Sequence, residues 1–139
     1  MMPVSLHIQY CDGIIRHADD FRYSLIGIYP GACPLPAHDF VLAQINLCLT
    51  FEIPTDRMDL LSTPLRLEVF RDNDVLSVFH MPPAENAPVM SENPEIFCGL
   101  VHQSLDNLPV SVGDKINARL IAGGVAVAVG NPLKFVPAM

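Results

Sequence analysis

Residues Ile45 to Ile53 read INLCLTFEI, and the period of this stretch decides the fold. Ile45, Leu47, Leu49, Phe51 and Ile53 alternate with Asn46, Cys48, Thr50 and Glu52. A period of two puts the first set on one face of a β-strand and the second on the other. An amphipathic helix would instead place apolar residues at steps of three and four, and no long window of the chain does so.

The same alternation recurs on both sides. Leu6, Ile8 and Tyr10 oppose His7 and Gln9; Leu65, Leu67 and Val69 oppose Arg66 and Glu68; Ile116, Ala118 and Leu120 oppose Asn117 and Arg119. Asp72-Asn73-Asp74 lies between two β-rich runs, and Gly123-Gly124 between two more. These residues accept the positive φ of tight hairpin turns. Strands are predicted near residues 4–11, 21–29, 40–53, 64–71, 75–81, 95–102, 114–122 and 125–129, with a short ninth at 133–136. Eight or nine such strands predict an all-β antiparallel sandwich, with a partly open β-barrel as the alternative.

The 139 residues suit a single domain spanning 1–139. Half the residues are hydrophobic and only 17% charged, which excludes a disordered chain. The thirteen prolines fall between apolar runs and read as punctuation. Fifteen acids against eight scattered bases give a net charge of −7. A nucleic-acid partner and an anionic membrane surface are both disfavoured by that field. The opening MMPVSLHIQY lacks the basic and apolar regions of a signal peptide, and no apolar run is long enough to span a membrane. Four cysteines without a C-x-x-C pair give no disulfide framework. The expectation is a soluble, reduced, cytoplasmic protein.

Two strands depart from simple alternation. In YSLIGIY, Leu25 and Tyr29 point one way while Ile26 and Ile28 point the other. A strand apolar on both faces needs cover on both. In VAVAV, the valines Val125, Val127 and Val129 are expected on one face, with Ala126 and Ala128 on the other. Ile26, Ile28, Ala126 and Ala128 are thus the candidate oligomer interface. Long loops are expected at Pro30–Asp39 and Pro82–Pro94, the prolines of PGACPLP ending the sheet. A small-molecule pocket near these loops would be lined by Tyr29, His38, Phe40, Met81 and Met90.

Chemistry-bearing residues are scattered. His17, Cys33, His38 and Cys48 are metal-ligand types without a zinc spacing. Asp12, Asp19 and Asp20, with Asp72 and Asp74, would make a calcium site only if their loops shared one end of the sandwich. Ser24, Ser77 and Ser104 lack a nucleophile elbow, and AGGV opens no phosphate-binding helix. The expectation is no catalytic residue, metal or cofactor. The connection CDGIIRHADD (Cys11 to Asp20) carries Asp12, Arg16, Asp19 and Asp20, read as a brace of the turn or, second, as groups holding a polar ligand.

The stretch YCDGIIRHADDFRYSLIGIY resembles the N-terminal signature of a bacterial family of small β-sandwich proteins with no assigned activity. The matching positions are Cys11, Asp12, Arg16, Ser24, Leu25, Ile26, Gly27, Ile28 and Tyr29; the closing LPVSVGDKINARLIAGGVAVAVGNPLKFV is similar to that family's last hairpin. The likeness is weakest over 54–94, and Arg22 stands where the family tends to have a lysine-bearing turn. The resemblance implies a sandwich of bacterial or mobile-element origin and carries over no catalytic residue. Residue types and resemblance together suggest a non-enzymatic binding protein, acting as a homo-oligomer or on a protein partner. The alternative is a protein that binds or sequesters a metabolite or nucleotide.

Overall fold

The alternating run at 45–53 lies inside β4 (Asp39–Pro54), which runs through the middle of the first sheet. The computed structural model describes residues 3–18, 22–81 and 95–138. On one side of β4 lies β1 (Ser5–Arg16), with β2 (Tyr23–Tyr29) beyond it; on the other lies β7 (Ile96–Ser111). The order is β2-β1-β4-β7 and every pairing is antiparallel.

The second sheet has the order β3-β10-β8-β5-β6, from β3 (Ala32–Leu35), β10 (Leu133–Pro137), β8 (Lys115–Ala122), β5 (Leu65–Arg71) and β6 (Asp74–Met81). A further strand, β9 (Val125–Val129), pairs with β8 at Arg119 to Ala122, while β10 pairs at Lys115 and Ile116. Because β5 occupies one edge of β8, β9 and β10 share the other and lie end to end. The two sheets do not close on each other, so the chain is an all-β sandwich and not a barrel. A single helical turn, α1 (Met58–Leu61), links β4 to β5 and buries Leu60 and Leu61.

The predicted inward sets form the core. Leu6, Ile8 and Tyr10 of β1 and the alternate residues of β4 face Leu65, Leu67 and Val69 of β5 and Ile116, Ala118 and Leu120 of β8, all buried. Burying a side chain of this size stabilises the fold by roughly 1.5–3 kcal/mol. Polar groups stitch the sheets where β1 passes the break between β9 and β10. Asn131 acts there like a piece of strand: its side-chain oxygen accepts from Ile8 N at 2.7 Å, and its Nδ2 donates to Ile8 O at 2.8 Å. The Tyr10 hydroxyl donates to Asn131 O and lies 3.1 Å from Ile116 O.

Four expectations need correction. Strand β7 runs on past residue 102 to Ser111. Its core residues there are Leu105, Leu108 and Val110, and opposite them β4 turns Ile45 and Leu42 to the core. Both strands step by three at facing positions, with Asn107 at φ 51°. Strict alternation is broken there and the pattern hides a strand. Second, Cys11 to Arg16 is strand and not connection. Third, PGACPLP ends the sheet of β2 at Tyr29 but is not loop throughout: Ala32–Leu35 is β3 of the second sheet, parallel to β10 in the register Cys33↔Phe135. Proline is admissible because β3 is an edge strand with one neighbour, so Pro34 needs no N–H for a second ladder. Fourth, Ala126 and Ala128 do not share a face. Ala128 lies opposite Leu120 and Ala126 opposite Ile121, across a register shift. Adjacent β8 residues point opposite ways, so the bulge sends Ala128 against the core and leaves Ala126 exposed.

Candidate functional site

The part of the molecule least satisfied by its own chain is the end of the β1–β2 hairpin. β1 pairs with β4 only as far as Cys11↔Asn46, while its pairing with β2 continues to Arg16↔Tyr23. Beyond Cys11 the hairpin is therefore a two-stranded arm. Its root is tied down by Asn46, which is buried. Asn46 Nδ2 donates to Asp12 O at 2.8 Å, and Asn46 Oδ1 is 3.1 Å from His102 Nε2. The carbonyl acceptor sets the amide orientation, so Oδ1 faces the histidine and His102 Nε2 must be the protonated nitrogen. Burial holds the His102 imidazole below its ordinary pKa and favours that neutral form.

Gly27 sits at the same root with φ +69°, and a Cβ there would lie 2.5 Å from Asp12 Oδ2. Both the backbone angle and the space demand glycine. The Asp12 carboxylate accepts the Tyr29 hydroxyl. Burial first, then the hydrogen bond to Asp12, pushes the Tyr29 phenol well above its ordinary pKa. Further out, His17 Nε2 and Ser24 Oγ meet at 2.7 Å across the two strands.

The register assigns the arm's faces. Cys11↔Ile28, Gly13↔Ile26 and Ile15↔Ser24 put Ile28, Ile26 and Ile15 on one face. All three are more than half exposed: 52%, 53% and 51%. Nothing in the described chain covers Ile26 and Ile28. The opposite face carries Ile14, Arg16 and Tyr23, which border a cavity of about 520 Å³ together with Phe79 and Met81 of β6 and Leu100, Val101 and His102 of β7.

Of the residues expected to line a pocket near Pro30–Asp39 and Pro82–Pro94, the described ones, Tyr29, His38, Phe40 and Met81, border no shared cavity; the loop 82–94 lies outside the described residues. Tyr29 is engaged with Asp12, and Met81 borders the cavity just described. Phe40 lines a separate shallow cavity of about 720 Å³ with Asp39, Arg71, Asp72, Asp74 and Asp114. His38 Nδ1 lies 3.3 Å from Asp39 Oδ1 at the surface. Met90, Asp19 and Asp20 lie outside the described residues. Asp12 and Arg16 share a strand face but stand about 13 Å apart at 3.3 Å per residue, too far for a direct brace.

Among the described residues no three His, Cys, Asp or Glu side chains are grouped as a metal ion requires. Asp72 and Asp74 border the same open cavity as Asp39 and Asp114, without clustering, and Asp12 is not among its lining residues. The Asp39 carboxyl is held below its ordinary pKa, first by the Ser111 hydroxyl and then by His38. Burial pushes all four cysteine thiols up, so none is poised as a nucleophile. Ser77 Oγ donates to Gln103 Oε1 at 2.9 Å, and Ser104 sits with Gln44 and Asp106.

Sequence reasoning missed Asn46, His102 and Ile15. Asn46 and His102 are 56 positions apart and meet only through the β4–β7 ladder. Ile15 carried a signal, since it extends the alternation of an apolar strand past Gly13.

These features define an all-β sandwich with an exposed apolar arm. No protein-family model, curated protein or solved structure matches the chain. No helix among the described residues is long and apolar enough to cross a membrane.

Proposed function

We propose that this protein is a non-enzymatic, cytoplasmic interaction module that pairs with a second copy of itself through the β1–β2 arm. The observation that carries the reading is the row Ile15, Ile26 and Ile28 on one face of the arm, each more than half exposed. β2 is also the outermost strand of its sheet. An edge strand meant to stay in water is ordinarily guarded by charge, yet Tyr23 to Tyr29 carries none.

Charge favours a like partner here. Each copy bears a net −7, so two copies repel over most of their surface. An uncharged strand is where that repulsion is weakest. Two β2 strands placed antiparallel across a two-fold axis would pair backbone to backbone and set the two isoleucine rows side by side on one face, where each shields the flank of the other. The high pKa of every cysteine thiol supports a role without nucleophilic chemistry.

Light scattering during size exclusion tests this. The wild type is expected to show twice the mass of one chain at micromolar concentration. Ile26→Lys combined with Ile28→Lys is expected to return it to one. A wild type that stays at one chain mass as concentration rises would overturn self-pairing and leave a different protein as the arm's partner.

A further inference from the structure

We propose that the open edge of β7 takes up an extended segment of another protein, one with basic flanks and apolar side chains at alternate positions. The segment lies as an added strand in the slot between β7 and the arm. This edge is at the opposite side of the first sheet from β2, so it is separate from the self-pairing surface.

The first observation is an unused ladder. Among the described residues β7 pairs with β4 alone, and it is the last strand of its sheet. From Ile96 to Leu105 it carries no Asp, Glu, Lys or Arg. Such an edge lacks the charges that ordinarily guard against strand addition. The far end of β7 is closed, because Arg71 donates to Pro109 O and Pro109 has no N–H to offer. The stretch that a strand can join is therefore 96–105.

The second observation is a phenylalanine in the wrong state of burial. Phe79 pairs with Leu67, which is fully buried, so both point to the inside of the sandwich. Yet Phe79 is 38% exposed. Inward side chains of one sheet are covered by those of the other, so an inward residue stays open where the facing sheet lacks a strand. Phe79 fronts the cavity of about 520 Å³ that Leu100, Val101 and His102 of β7 also border. A strand joined to β7 would set every second side chain inward, against Phe79, Met81 and Val101, and the rest outward beside Leu100. Main-chain bonds along β7 would supply affinity, and the space before Phe79 would select the side chain.

Charge narrows the kind of segment. β4 and β7 together hold Asp39, Glu52 and Asp106 and not one lysine or arginine. Within a chain of net charge −7, this pair of strands draws a basic segment and repels an acidic one. β2 carries no charge at all, so the two edges of the sheet suit different partners.

NMR titration with synthetic peptides tests this. The probe has a core of alternating valine and threonine between paired lysines, and is acetylated and amidated at its ends. It is expected to bind with Kd below about 1 mM and to shift amide signals within 96–105 saturably. The same core between paired glutamates, and a lysine-flanked core N-methylated throughout to remove its donors, are each expected to bind roughly tenfold more weakly. Phe79→Ala is expected to weaken the lysine-flanked probe by a similar factor. The peptide series uses the wild type, so it stands if Phe79→Ala fails to fold. Absence of saturable binding by the lysine-flanked probe, equal binding of the glutamate-flanked one, or shifts that fall on 23–29 and spare 96–105 would overturn the proposal. So would an Ile26→Lys, Ile28→Lys variant that still runs as two chains and loses that mass on adding the probe, since a second copy would then hold β7. Probe binding that persists in a single-chain form of that variant separates this edge from self-pairing.

Discussion

Two antiparallel strand pairs turn a face away from the core, and they do so with opposite chemistry. On β5 and β8, Glu68 sits opposite Arg119, which reaches it at 2.8 Å, while Arg66 approaches the other carboxylate oxygen at 3.1 Å. The Arg119 guanidinium also lies 5.0 Å from the Phe70 ring centre. On the arm the equivalent positions hold Ile15, Ile26 and Ile28. Both pairs keep a period of two and both have regular ladders. The difference teaches that secondary structure does not distinguish a face made for water from a face made for contact. Only the outward residues do.

That contrast can be broken in measurable ways. The largest effect belongs to the shared inner side. Leu67→Ala, at a fully buried position of β5, is expected to cost roughly 2–5 kcal/mol in urea unfolding. Next is the root of the arm. Gly27→Ala meets both the positive φ and the Asp12 carboxylate, and is expected to cost roughly 1–3 kcal/mol. It should also loosen the arm, seen as faster amide exchange at residues 23–29 than at 65–71.

The outward faces themselves give smaller changes. Glu68→Ala removes the partner of two arginines and is expected to cost about 1 kcal/mol. Ile28→Ala, measured in dilute protein, is expected to stay within about 0.5 kcal/mol. If Ile28→Ala were the costlier of the two, the isoleucine face would be packed inside one chain.

The smallest effect is one of pH. His102 titrates lower in the folded protein than in the unfolded chain, so the unfolded state binds more protons just below about pH 6.5. Stability contributed by neutral His102 is therefore present above that pH and lost as pH falls toward the folded value. His102→Gln is expected to flatten the fall in melting temperature between about pH 7 and pH 5.5.

The sandwich was legible wherever one side chain in two faced the core, as from Ile45 to Ile53. It became illegible where the backbone changed step. The paired irregularity at Leu42–Ile45 and Leu105–Leu108 hid half of β7, and one extra residue in β9 parted Ala126 from Ala128. Pro34 misled because the rule against proline in sheets is a rule about strands with two neighbours. The site was half legible. Ile26 and Ile28 were visible as a second apolar face, since that depends on local parity. The link from Asn46 to His102 and the gap beside Phe79 depend on distant strands meeting, and no local pattern records that.

The side-chain amide of Asn131 that stands in for a strand at Ile8 has a consequence for how the protein is made. The two residues are 123 positions apart, and Tyr10 finds its acceptor at the same late residue. β3 likewise waits for β10 to supply its ladder. A ribosome producing this chain therefore releases an apolar β1–β4 face long before the residues that seal it exist. The nascent polypeptide must hold that face open, exposed to association or to chaperone capture, until synthesis has passed Phe135.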